Sequence, residues 1–189
     1  MRWSAISGIC LVPPWSGKNV HFLGFMATGK SRVGAEFARL IQWPFVDADQ
    51  RIEQIAGEPI ASIFELYGED HFREIESQVV RELCARTGHV VAWGGGAVVP
   101  EGNWALISAS GLTVRLTANT DLLIERIRRN RDRPLLAQRD EREVRARLNA
   151  LLREREPFYS RAQYTFESRD EVPARRLACR IYRKLLESS

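Results

Sequence analysis

The chain has 189 residues, 44% of them apolar, with 28 lysines and arginines against 24 acidic residues and a formal net charge of +4. That length buries one core of its own, and no Ser/Gly/Pro-rich tract offers a linker at which to divide it. Three widely spaced cysteines, Cys10, Cys84 and Cys179, without C-x-x-C spacing, argue against a disulfide framework or a cysteine zinc site and suit a reducing, cytoplasmic setting.

The apolar stretch from Ala5 to Trp15 is broken by Pro13-Pro14 and flanked only by Arg2, which is too short for a membrane span. A signal peptide is the lesser alternative. Residues 1–18 therefore read as a flexible extension and 19–189 as a single domain. No membrane partner is expected.

The first strand is predicted over Val20–Phe25. It runs into Gly24-Phe25-Met26-Ala27-Thr28-Gly29-Lys30-Ser31, a match to G-x-x-x-x-G-K-[ST]. Such a loop brings backbone N–H groups close to phosphate oxygens, and the helix after it aims its positive dipole end at them. Lys30 would neutralise the outer phosphates and the Ser31 hydroxyl would hold magnesium. Gly24, Ala27, Thr28, Gly29, Lys30 and Ser31 are thus the nucleotide-binding candidates; a ligand-free glycine turn is the alternative.

Val33, Phe37, Leu40 and Ile41 follow at helical spacing. The second strand, Phe45–Asp47, leads into Asp47-Ala48-Asp49. The three lie at the end of the strand, and strand residues two apart face one side, so both carboxylates can face the crevice beyond the strand ends where ligands of open α/β sheets bind. One near a metal-phosphate and one near a hydroxyl would divide the work of phosphoryl transfer. The competing reading is an Asp49 cap on a helix starting at Gln50.

Phe72, Ile75, Val79 and Leu83 mark another helix, on which Arg73 and Glu76 share a face. This pair is either a surface bridge or a guanidinium fixed to grip a carboxylate. The strand His89–Trp93 ends in Gly94-Gly95-Gly96, which implies positive φ or very close backbone approach, and a ligand wall is favoured over a simple turn.

After a strand over Thr113–Thr117 and a further helix, Arg126, Arg128, Arg129, Arg131 and Arg133 crowd into the segment before Pro134-Leu135-Leu136. Arginines on a mobile segment can close over ATP and exclude water. Without interleaved aromatics the run is a poor RNA surface, and no nucleic-acid partner is expected. Asp140 with Glu143 resembles a capping box before the stripe Val144, Leu148, Leu151 and Leu152. Pro157 is expected to end that helix, and Arg155 near its C-terminus has a complete electrostatic explanation. A strand over Tyr164–Glu167 and a helix opening near Pro173, with Leu177, Ile181 and Leu185, complete the chain. Five strands alternating with helices predict an α/β domain with a mainly parallel sheet. The chemistry visible in the residues is that of a kinase for a small anionic alcohol.

In this order the phosphate loop, Asp47-x-Asp49, Phe72-Arg73-x-x-Glu76, Gly94–Gly96, Arg133-Pro134-Leu135-Leu136 and Arg155-x-Pro157-x-Tyr159 resemble the shikimate kinase family, over residues 19–187. The resemblance implies a three-layer α/β/α P-loop kinase with a five-stranded parallel sheet, a lid over about residues 126–138, and a substrate-binding helical insertion after the second strand. It implies transfer of the ATP γ-phosphate to the 3-hydroxyl of shikimate, giving shikimate 3-phosphate and ADP in aromatic amino acid biosynthesis, by a monomer using Mg2+.

By the same resemblance Lys30, Asp49 and Arg133 are catalytic, with Asp49 the base and Arg133 reaching the phosphates from the lid. Arg126 is a second phosphate-facing arginine, and Asp47 holds the metal through water. Arg73 and Arg155 bracket the shikimate carboxylate, and Gly94, Gly95 and Gly96 form the substrate wall. A related kinase of another hydroxylated acid or nucleoside, and an ATP-binding regulator without catalysis, are the alternatives. Three departures stand out. Ala27 replaces a usual glycine and is expected to need negative φ, Trp93 replaces a smaller residue and can reshape the pocket wall, and Ser168–Pro173 shows no clear copy of the adenine clamp.

Overall fold

The computed structural model describes residues 13–129 and 141–188. The strands are β1 (Asn19–Leu23), β2 (Phe45–Asp47), β3 (Val90–Ala92), β4 (Gly111–Thr117) and β5 (Tyr164–Glu167). They form one parallel sheet in the order β2-β3-β1-β4-β5. Phe22 of β1 lies opposite Ala92 of β3 and Val114 of β4.

Seven helices are described: α1 (Lys30–Ile41), α2 (Ala48–Ala56), α3 (Ile60–Cys84), α4 (Glu101–Ser110), α5 (Thr120–Arg129), α6 (Glu141–Tyr159) and α7 (Ala174–Glu187). Alternation along β1 sends Val20 and Phe22 to one face and Leu23 to the other. The first face packs on Val33 and Phe37 of α1 and on Leu177 and Ile181 of α7. The second packs on α2 to α6 through Ile52, Val79, Ile107, Leu123 and Leu148. Burying one such side chain as large as Phe37 contributes about 1.5–3 kcal/mol.

Helix α4 has no predicted counterpart, because its buried residues, Asn103, Trp104 and Ile107, make too weak a stripe. Helix α3 begins well before the predicted stripe and breaks at Gly68, which adopts φ 83°. Pro157 does not end α6, which continues to Tyr159; in the last turn a missing N–H costs a single ladder bond. Arg126, Arg128 and Arg129 belong to the last turn of α5 rather than to a loop, and this helix is started by the Asn119 side chain accepting from Leu122 N at 2.8 Å. Asp140 and Arg133 lie outside the described residues. So do residues 1–12 of the expected extension, but Trp15 is buried and meets the Tyr182 ring edge-on at 6.1 Å. Among the described residues no helix is long and apolar enough to cross a membrane.

Trp93 points into the second core. Its indole N–H can only donate, so His21 Nδ1 accepts it at 3.1 Å. His21 Nε2 therefore carries the ring proton and donates to Ser110 Oγ at 3.0 Å. Burial pushes the His21 pKa down from 6.5 to about 3. The unfolded chain binds this proton below its ordinary pKa and the folded chain does not, so the contribution to stability is lost as pH falls through that window. Unfolding in urea should show a loss of about 2–3 kcal/mol from this group between about pH 7 and about pH 4.5. His21→Asn should flatten the slope by one proton; an unchanged slope would remove His21 as its source.

Candidate active site

Because β1 and β3 are neighbours while α1 and α4 leave toward opposite faces of the sheet, a crevice opens at their carboxyl ends, the switch point of the fold. Its volume is about 600 Å³, and its lining includes Lys30, Ser31, Asp47, Asp49, Gly95 and Arg126.

The phosphate loop crosses from β1 to α1. Gly29, at φ 93°, precedes α1 and has no side chain with which to cap the first N–H groups, which stay available to an anion. Lys30 Nζ donates to the Phe25 carbonyl at 2.9 Å and Thr28 Oγ1 to the same oxygen at 2.8 Å, bracing the loop. Ala27 takes φ 61°, against the expectation of a negative value. The left-handed conformation costs a residue with a Cβ about 1 kcal/mol.

Asp47 is the cap of α2: its carboxylate accepts from Asp49 N at 3.0 Å and Gln50 N at 3.4 Å. The two acids are therefore not strand residues sharing a face, and Asp49 is not the cap. Asp49 stands in the first turn of α2, and it is the helix start that turns it into the crevice beside Asp47. The Ser31 hydroxyl donates to Asp47 Oδ2 at 2.5 Å, so the end of the phosphate loop and the end of β2 meet there.

None of the three glycines after β3 has positive φ. They are there for close approach. A Cβ on Gly94 would lie 2.5 Å from Asp49 Oδ1, one on Gly95 would lie 3.2 Å from Arg155 Nη1 and 3.4 Å from Tyr159 Oη, and one on Gly96 would strike the Arg73 guanidinium. The triplet thus lines up an acid and two arginines in succession. Arg73 and Arg155 stand against it but are outside the lining of the main crevice.

Arg73 Nη1 donates to Glu76 Oε2 at 2.7 Å, and Glu76 is only 3% exposed. Burial raises the Glu76 pKa against the pull of Arg73, and the charges of Asp49 and Arg155 also reach it. Glu69 holds the outer edge of Arg73 at 2.9 Å. Tyr159, unnamed as a site residue from sequence, donates to the Gly95 carbonyl at 2.6 Å and is itself hydrogen-bonded to Arg155. Burial raises its pKa, with Arg155 opposing. The Arg155 guanidinium also lies 5.9 Å from the Phe25 ring centroid. The only sequence signal for Tyr159 was its place two residues after Pro157.

Trp93 borders the crevice although it is only 2% exposed and packs in the core. Arg126 reaches the phosphate loop by donating to the Ala27 carbonyl at 3.0 Å. Arg133 lies outside the described residues.

A sequence profile of the family described as "Shikimate kinase" matches residues 26–186. A shikimate kinase of Synechococcus sp. (strain JA-3-3Ab) is 42% identical over 170 residues, covering 89% of this chain and 88% of that protein. One of Geobacter sulfurreducens is 42% identical over 155 residues, covering 82% and 84%. The solved shikimate kinase of Acinetobacter baumannii in complex with shikimate superposes with a TM-score of 0.84 at 36% identity, covering 91% of this chain and 94% of that one. With the glycine triplet after β3 setting Asp49 of the crevice beside the two arginines, and with a match extending over nearly the whole chain, this protein belongs to the shikimate kinase family.

Proposed function

We propose that the crevice carries the phosphoryl group from ATP to shikimate with the following division of labour. The triphosphate lies along the backbone of Gly24–Ser31, and Lys30 neutralises its outer charge. Asp49, placed against Gly94, accepts the proton of the 3-hydroxyl as that oxygen attacks the γ-phosphate; the P–O bond to ADP breaks as the bond to the hydroxyl oxygen forms. Arg73 and Arg155 hold the carboxylate of shikimate in two-pronged geometry. The products are shikimate 3-phosphate and ADP.

Magnesium fits the hydroxyl of Ser31 and the carboxylate of Asp47, hard oxygen donors 2.5 Å apart at the phosphate loop. Mg2+ takes one or two protein oxygens, keeps water and completes its shell with substrate phosphates. When bound it neutralises the charge of the phosphates. Arg133, from the segment after α5, is proposed to reach the transferring group, with Arg126 beside the loop. All these groups come from one chain, so a monomer suffices; its setting is proposed to be the cytoplasm, which the cysteine spacing suits.

The observation carrying this reading is the glycine triplet, which places Asp49, Arg155 and Arg73 side by side next to the phosphate loop. Turnover with Mg-ATP should be compared across shikimate, its methyl ester, gluconate and a nucleoside. Shikimate should be the preferred acceptor and the ester, lacking the anion, should lose about 10²-fold or more in kcat/KM. Preference for gluconate or the nucleoside would reassign the acceptor, and equal use of the ester would remove the arginine clamp.

A further inference from the structure

Arg126 ties together three segments distant in sequence. Its Nε and Nη2 donate to Asp170 Oδ1 at 3.0 and 2.7 Å, and its Nη1 donates to the Ala27 carbonyl at 3.0 Å and to Ser168 Oγ at 3.2 Å. The guanidinium is 19% exposed, so this is more than a solvated surface bridge. Arg129 Nη1 stands 3.5 Å from the other Asp170 oxygen. The hydrogen bond from Arg126, helped by the charges of Arg126, Arg129 and Arg32, holds the Asp170 carboxyl below its ordinary range against a slight burial effect.

The residue held at the far end has unfavourable backbone geometry. Ala27 sits at φ 61° within the phosphate loop, where only glycine rests without cost. A hydrogen bond to its carbonyl from a cation offsets that cost, and the cation is itself fixed by a carboxylate on the loop after β5. Without Asp170, Arg126 would keep only the neutral oxygens of Ala27 and Ser168 and would lose its partner at Nε and Nη2.

We propose that Asp170 is a positioning residue for nucleotide binding: it fixes Arg126, and through Arg126 the left-handed Ala27, so that the phosphate loop keeps its receiving shape before the triphosphate arrives. The inference deepens the kinase reading and rests on its nucleotide half only. Asp170 acts here through Arg126 and needs no contact with substrate. It also gives a role to the segment after β5, which carried no assignment from sequence.

The test uses the full chain and the non-hydrolysable analogue AMP-PNP with Mg2+, titrated calorimetrically into wild type, Asp170→Asn and Asp170→Ala, each with and without Ala27→Gly. Asp170→Ala should weaken binding about tenfold and raise KM for ATP in parallel, with KM for shikimate unchanged. Asp170→Asn keeps one acceptor oxygen and should lose less. In the Ala27→Gly background the loss should shrink to about threefold or below, since glycine holds positive φ unaided. Equal affinity in wild type and Asp170→Ala, or the same loss in both backgrounds, would overturn the proposal. Failure of the wild-type chain to bind AMP-PNP would overturn the nucleotide reading itself, and this inference with it.

Discussion

Asp49→Asn should lower kcat by about 10²–10⁴-fold while leaving shikimate affinity within about threefold. The substitution is nearly isosteric and removes only the proton-accepting charge. It should not disturb α2, because the cap comes from Asp47, whose carboxylate receives the backbone N–H of residue 49 whatever its side chain. The lost helix-terminal charge costs about 0.3–1 kcal/mol of stability at most. Steady-state kinetics paired with a shikimate titration check this directly. An unchanged kcat would mean that the close approach of Asp49 to Gly94 serves packing and not proton transfer.

Arg73→Ala should weaken shikimate binding by about 2–5 kcal/mol, with ATP affinity unchanged. Much of that cost comes from leaving a carboxylate without its partner. The same substitution strips Glu76, 3% exposed, of its bridge at 2.7 Å, and an unpaired buried charge destabilises by about 3–5 kcal/mol. Arg73→Lys separates the two effects: the ammonium can still neutralise Glu76, but it lacks the planar fork that holds a carboxylate while bonded to Glu76. It should therefore restore most of the stability and little of the affinity. Calorimetric titration of shikimate with thermal unfolding on the same samples measures both. If Arg73→Lys bound shikimate as tightly as the wild type, the fork would have no part in recognition; if Arg73→Ala did so, Arg73 would be only a bridge to Glu76.

What could be read from the sequence was what depends on local pattern. Short β-branched and aromatic runs located all five strands, two with the same bounds and three with ends shifted by a residue or two, and the spacing Gly24 to Ser31 placed the phosphate loop where β1 meets α1. Three glycines in a row signalled close approach without saying to what; the side chains they admit come from α2, α3 and α6. Features governed by distant partners were not legible. Ala27, at φ 61°, gives its carbonyl to Arg126, 99 positions away. Trp93 does border the crevice, but nothing near it in sequence reveals His21 as the acceptor of its indole N–H, 72 positions away. The pairing of Asp47 with Asp49 was misread in geometry though not in location, since a strand that gives way to a helix at Ala48 still leaves both acids facing one crevice. Helix α4 was missed because a helix packed by so few residues shows almost no periodicity.

Whether the nucleotide loop and the acceptor cluster act as one phosphoryl-transfer site is decided by ADP release from Mg-ATP measured with and without shikimate, with phosphorus NMR of the product. ADP release that depends on shikimate and is matched by one new phosphate monoester per ADP is the predicted result. Release at the same rate without shikimate, or ATP binding with no transfer from well-folded protein, would contradict it.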